Sequence, residues 1–148
     1  MNKKPLALAV SLVLAALSNQ HANALDMKWV CGSGTWSDSG CWSSVWSPYE
    51  IRPPTDGDKV YLTQSDSVTR TIDYVNAASP IFYQLTVDAT GGSPMTLTQT
   101  KDSLAASFVE VIGDFGKGSV IQSGGTNMVG GSLYLGLHSG STGSYNLS

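Results

Sequence analysis

Apolar residues in this chain return at a fixed interval. Leu85, Val109 and Leu133 stand 24 residues apart, as do Val87, Val111 and Leu135. Leu97, Ile121 and Tyr145 keep the same spacing, and so do Leu104 and Met128. Val60 and Leu62 precede Leu85 and Val87 by 25. Shared periods of this kind mark an internal repeat of about 24 residues in which each unit buries its apolar face only by stacking on its neighbours.

The repeat is built from strands. Val60-Tyr-Leu62, Leu85-Thr-Val87, Met95-Thr-Leu97, Val109-Glu-Val111 and Leu133-Tyr-Leu135 each alternate apolar and other residues, as a strand with one buried face does. Gly91-Gly92, Gly124-Gly125 and Gly130-Gly131 fall between them as corner signals. Residues 101–108 are the one stretch with helical character, and they are too short to carry a helix. The expected fold is all-β, a parallel β-solenoid with coils of about 24 residues. Its inward columns would run Leu85, Val109, Leu133 and Leu97, Ile121, Tyr145. A β-sandwich uses similar short strands and stands as the second reading, although nothing in a sandwich requires the same positions to recur.

Residues 25–58 differ in composition from the repeats at 59–148. Trp29, Trp36, Trp42 and Trp46 cluster here with Cys31 and Cys41, followed by Pro48, Pro53 and Pro54. A solenoid's first coil exposes strand edges and an apolar end that need cover. This segment is expected to be a Trp-rich N-terminal cap. Trp36, Trp42 and Trp46 are also candidates for stacking on glycans, with packing inside the cap as the competing role.

The start of the chain has the layout of a secretory leader. Lys3 and Lys4 give a positive start, residues 6–17 an apolar run, and Ala22-Asn-Ala24 small residues where a signal peptidase reads. The apolar run is shorter than the ~20 residues that span a bilayer. Cleavage is expected between Ala24 and Leu25. Export places Cys31 and Cys41 in an oxidising compartment, where a disulfide between them is expected.

Of 8 basic and 11 acidic residues, the leader takes Lys3 and Lys4 and no acid, leaving 6 against 11 and a net charge of −5. Without a basic patch, nucleic acid is not an expected partner. No later stretch is long and apolar enough to span a membrane. The last coil begins near Leu133 and is incomplete at Ser148. The chain is therefore expected to be a fragment of something longer, and its bare coil edge a place for self-association.

The segment Gly118-Ser-Val-Ile-Gln-Ser-Gly-Gly-Thr-Asn-Met-Val-Gly-Gly-Ser-Leu-Tyr-Leu-Gly136, with Gly140-Ser-Thr-Gly-Ser-Tyr-Asn-Leu-Ser148, resembles the β-strand repeats of bacterial autotransporter passenger domains. Gly34-Thr-Trp-Ser37, Cys41-Trp42 and Pro54-Thr-Asp-Gly-Asp-Lys-Val-Tyr-Leu62 resemble the Trp-rich segment that opens such passengers. The family commonly has a residue such as Asn before the second Trp, where this chain has Cys41. The resemblance implies an adhesin-like or scaffold domain at the bacterial cell surface, outer membrane-associated or secreted. Extracellular glycans or host and surface proteins would be its partners.

Catalytic chemistry has little to build on. A polysaccharide-cleaving β-helix needs clustered carboxylates, often with calcium, and a base. Asp56-Gly-Asp58 is the closest acidic pair and lies in a turn, while Asp73, Asp88, Asp102 and Asp114 share no common period. His138 lies in the Gly136-Leu-His-Ser-Gly140 corner, where a solvated histidine is expected. Neither a nucleophile elbow nor a phosphate loop is present. No catalytic residue, metal or cofactor is therefore expected, and the reading is a non-enzymatic, exported repeat module. The alternatives are a polysaccharide-binding or polysaccharide-cleaving β-helix whose active coils lie elsewhere, and a biofilm matrix component.

Overall fold

Alternation and glycine corners produce stacked coils of parallel strands. The structure, a computed structural model, describes residues 24–46 and 50–148. The expected leader, apart from Ala24, lies outside the described residues. Twelve strands follow in order: β1 Asp26–Trp29, β2 Gly34–Thr35, β3 Trp42–Ser44, β4 Lys59–Gln64, β5 Arg70–Tyr74 and β6 Ile81–Ala89. Then come β7 Met95–Gln99, β8 Ser103–Ile112, β9 Lys117–Gln122, β10 Thr126–Val129, β11 Ser132–Leu135 and β12 Thr142–Leu147. One 3-10 turn, Ser39–Cys41, precedes β3. The segment with helical character enters β8 instead, since its Leu104 and Ala106 place is in an inward column.

Two sheets wind around one core. The first runs β10-β8-β6-β4-β1-β3, with β11 also on β8, and the second runs β12-β9-β7-β5-β2. The β1–β3 pairing is antiparallel, whereas the pairings of β4 through β12 between coils are parallel. The result is a β-solenoid of about 4 turns. Successive coils are β4–β5, β6–β7, β8–β9 and β10–β12. Strands β1 and β2 already lie parallel to β4 and β5, so the Trp-rich segment forms its own turn on the first coil.

The period holds on average but the columns differ from those expected. Val60 pairs with Leu85 and Leu85 with Glu110, steps of 25, and Leu133 lies opposite Glu110, a step of 23. In the other sheet Ile72, Leu97, Val120 and Tyr145 align, in place of the expected Leu97, Ile121 and Tyr145. Leu104 aligns with Asn127, and Met128 with Ala105. The cause is a bulge. Ile81 and Phe82 pair 24 residues on with Ala105 and Ala106, but past the irregularity between Phe82 and Gln84, Gln84 pairs with Val109. One extra residue in β8 therefore turns Glu110 inward and moves Val109 off the column, because a one-residue slip exchanges the two faces of a strand.

Buried side chains fill the coils from the cap onward, including Trp36, Trp42, Tyr74, Phe82, Leu85, Leu97 and Ile112. Each fully buried large apolar side chain contributes about 1.5–3 kcal/mol. Polar residues enter the interior where they hold a corner. The buried, in-register Gln99 and Gln122 donate amide hydrogen bonds to the carbonyls three residues on, Asp102 and Gly125, both at 3.1 Å. Asp102 and Gly125 have φ of 62° and 73°, so the two glutamines fix equivalent left-handed corners in successive coils.

Candidate functional site

The cap turns its tryptophans inward. Trp36 and Trp42 are wholly buried and Trp29 nearly so. The Trp36 ring lies among Trp42, Tyr74 and Phe82, at centroid distances of 4.8, 4.9 and 5.4 Å. Trp29 meets Trp42 edge-on at 5.2 Å. Neither Trp36 nor Trp42 presents a ring face to solvent, so neither stacks on a glycan, and their candidacy for that role is corrected. Their apolar area is more favourable against Tyr74 and Phe82 of the first two coils than in water. Trp46 is the exception at 84% exposed, its indole N–H donating to Asp26 Oδ2 at 2.9 Å. Cys31 and Cys41 form the disulfide, with Cα atoms 5.1 Å apart.

Beyond the cap, two aromatic pairs stand on the outer surface. Tyr83 and Phe108 stack at 5.0 Å with 9° between the rings, and Phe115 stacks on His138 at 3.9 Å and 12°. His138 is exposed in its corner and is also held there by the coil before it. Its Nδ1 faces Asp114 Oδ1 at 2.9 Å and the Asp114 carbonyl at 3.1 Å. With two acceptors facing Nδ1, the neutral ring is protonated there and keeps its lone pair on Nε2. The coil period contains the signal for these contacts, since Asp114 and Phe115 precede His138 by 24 and 23 residues.

The acidic side chains are joints between backbone segments. Asp58 is wholly buried, and its carboxylate accepts hydrogen bonds from the Leu25 and Thr55 amides, both at 2.8 Å, and from Arg52 at 2.6 Å. Asp56 accepts from the Ile81 amide at 2.7 Å, Asp88 from those of Asp114 and Gly116, and Asp102 from that of Asn76. Asp73 accepts from the Thr98 hydroxyl. Most of these partners lie one coil away, between 25 and 28 residues along the chain. Among the described residues no group of three or more His, Cys, Asp or Glu is placed to hold a metal ion.

Glu110 is wholly buried and forms no salt bridge among the described residues, whereas the alternation in Val109-Glu-Val111 predicts it on the outer face. Its Oε2 accepts from Asn127 Nδ2 at 2.9 Å, and burial pushes the carboxyl above the usual range, a rise partly offset by that hydrogen bond. A glutamate between two valines gives no sequence sign of inversion; only the bulge in β8 does. The surface also carries two apolar notches. One of about 410 Å³ lies among Arg52, Pro53, Pro54, Asn76 and Pro80, and one of about 250 Å³ among Ile81, Ala105, Ser107 and Met128.

The chain matches no family model, no curated protein and no solved structure. The arrangement as a whole offers surfaces and joints: stacked aromatics outside, carboxylates occupied by backbone amides, and a tied aromatic plug at the first coil. No helix among the described residues is long and apolar enough to cross a membrane.

Proposed function

We propose that this chain is a non-enzymatic, exported display module of the autotransporter-passenger kind, held at the bacterial cell surface or released from it. The observation that carries the reading is the parallel solenoid whose first turn is closed by a disulfide-tied cluster of buried tryptophans. A disulfide suits an extracytoplasmic compartment, and a rigid stack of coils suits the presentation of a surface far from its anchor. The carboxylates that a lyase or hydrolase would use are engaged by backbone amides here, which agrees with a structural task.

The test is to express the full chain in a bacterial host and recover it from each fraction. The proposal expects a product beginning at Leu25, outside the cytoplasm, with Cys31 and Cys41 oxidised. A product that keeps Met1 in the cytoplasm with both thiols free would overturn it.

A polysaccharide-binding role is the second reading, favoured by the exposed Tyr83–Phe108 stack and by Trp46. Flat aromatic faces take up the C–H faces of sugar rings. Glycan-array binding that is lost in Phe108→Ala or Trp46→Ala, with folding intact, would support it; no binding by the folded chain would remove it.

A further inference from the structure

The inward column that begins Val60, Leu85 stays apolar until the third coil, where Glu110 takes the place between Leu85 and Leu133. Glu110 has no exposed surface. Its Oε2 accepts from Asn127 Nδ2 at 2.9 Å, the same nitrogen donates to the Tyr145 hydroxyl at 3.0 Å, and Tyr145 donates to Gln122 Oε1. These four side chains come from β8, β10, β12 and β9, so the network joins the third coil to the fourth. Two of its oxygens, Glu110 Oε1 and Asn127 Oδ1, are buried acceptors with no donor facing them.

A carboxylate only accepts, and two acceptors cannot satisfy each other. A carboxylic acid adds one O–H donor and removes the charge. Either change relieves a cost that is large in a dry interior. We infer that Glu110 and Asn127 form a proton-operated latch between the third and fourth coils: the neutral acid seats β10, β11 and β12, and ionisation loosens them. The only change of covalent structure is the proton taken from solvent onto the Glu110 carboxyl.

Among the described residues, burial and the Asn127 hydrogen bond are what act on the Glu110 carboxyl. β6 presents Leu85 in register with Glu110 and β11 presents Leu133, both apolar, while β9 and β10 present the amides Gln122 and Asn127. From β12 comes Tyr145, itself titratable, whose phenol burial pushes further up, so it stays neutral wherever Glu110 titrates. No Lys, Arg or His among the described residues forms a salt bridge with Glu110.

The direction follows from linkage. Burial raises the Glu110 carboxyl in the folded chain above its unfolded value. The seated state is therefore fully favoured below the ordinary carboxylate range, and its advantage is lost as pH rises through the folded value. Within that window each pH unit changes the ratio of seated to loosened forms by about tenfold.

The experiment is NMR on the purified full chain, following the Glu110 side-chain carboxyl and the amide protection factors of residues 126–147 from pH 4 to 8. The latch expects Glu110 to titrate above the ordinary carboxylate range, with protection falling across the same window. It also expects Glu110→Gln, or Glu110→Leu in keeping with the column, to hold protection level with pH. Titration of Glu110 in the ordinary range would overturn the latch, as would an unchanged pH slope in either variant. If both variants failed to seat β10–β12 at any pH, the carboxylate would be a required structural partner and the latch would be rejected.

Discussion

Trp42 donates its indole N–H to the carbonyl of Trp36 at 2.7 Å, while the two rings meet edge to face with centroids 4.8 Å apart. The bond joins residues six positions apart and closes the segment between them into a loop whose core is aromatic. Tyr74 and Phe82 from the first two coils complete that core, so the cap and the repeats share one buried surface. Trp42→Ala is expected to cost about 3–5 kcal/mol, the range for a large aromatic removed from a packed core. Urea unfolding would measure it. Trp46→Ala, at an exposed position, should stay within about 0.5 kcal/mol. Equal losses for the two variants would show that the cap does not pack as described.

The disulfide acts on the same segment through the unfolded chain. Cys31 and Cys41 are 10 residues apart, and closing so short a loop contributes about 2–3 kcal/mol in the chain-entropy account. Reduction should lower the unfolding free energy by that amount and the midpoint with it, and a Cys31→Ser, Cys41→Ser double variant should reproduce the reduced chain without reductant. A midpoint insensitive to reductant would mean that the bridge does not form.

How much of this was legible depended on which residues carried the information. The period near 24 foretold a parallel stack, because buried side chains repeat wherever coils do. The triplets at 60–62, 85–87 and 95–97 were placed on the correct faces. Val109 and Ile121 were not, and the reason is physical: a mean period cannot locate the bulge that sets steps of 25 and 23 around it. Glu110 was hidden for the same reason. The Asp88–Gly116 and Asp102–Asn76 joints were invisible because their partners are backbone amides, which every residue except proline possesses. The role of the tryptophans was undecided between cap and surface because burial depends on where Tyr74 and Phe82 arrive.

Asp58 should be the most sensitive acidic position in the entry segment. Its buried carboxylate is shared by Arg52, two backbone amides and the Thr55 hydroxyl. Removing one side of a buried, hydrogen-bonded pair costs about 3–5 kcal/mol because the other side is left uncompensated. Asp58→Ala and Arg52→Ala should each lose stability by chemical denaturation, Asp58→Ala more so, since it also leaves the Leu25 and Thr55 amides unpaired. A loss confined to Arg52→Ala would contradict the assigned geometry.

Asp66 supplies a pH dependence opposite in sign to that of Glu110. The Arg70 side chain, and after it the Val68 amide, hold its carboxyl down at about 2. A depressed value in the folded state contributes stability above the unfolded value of about 3.9 and loses it as pH falls through the folded one. Asp66 is at the surface, so its effect on the midpoint should be small, and the informative measurement is its own titration by NMR. It should titrate near 2 in the native chain and in the ordinary range in Arg70→Ala. The two windows do not overlap: acid weakens the Asp66–Arg70 pair, whereas rising pH strains Glu110.

Gly118 tests the stacking itself. It lies in β9, in register with Met95 on one side and Gly143 on the other. A Cβ at Gly118 would fall 2.1 Å from the Val87 carbonyl oxygen and 2.5 Å from the Gly113 nitrogen, and one at Gly143 would fall 1.9 Å from the Ile112 carbonyl oxygen. Both obstacles are backbone, so the coil must move to admit a methyl group. Gly118→Ala is expected to cost about 1–3 kcal/mol, as overpacking does. Gly32, with open space around its Cβ position, is the control, and Gly32→Ala should be neutral or slightly stabilising by restricting the unfolded chain. The comparison separates close approach of coils from a general dislike of alanine. If Gly118→Ala behaved like Gly32→Ala, the second and third coils could not be stacked as closely as the register between β7 and β9 requires.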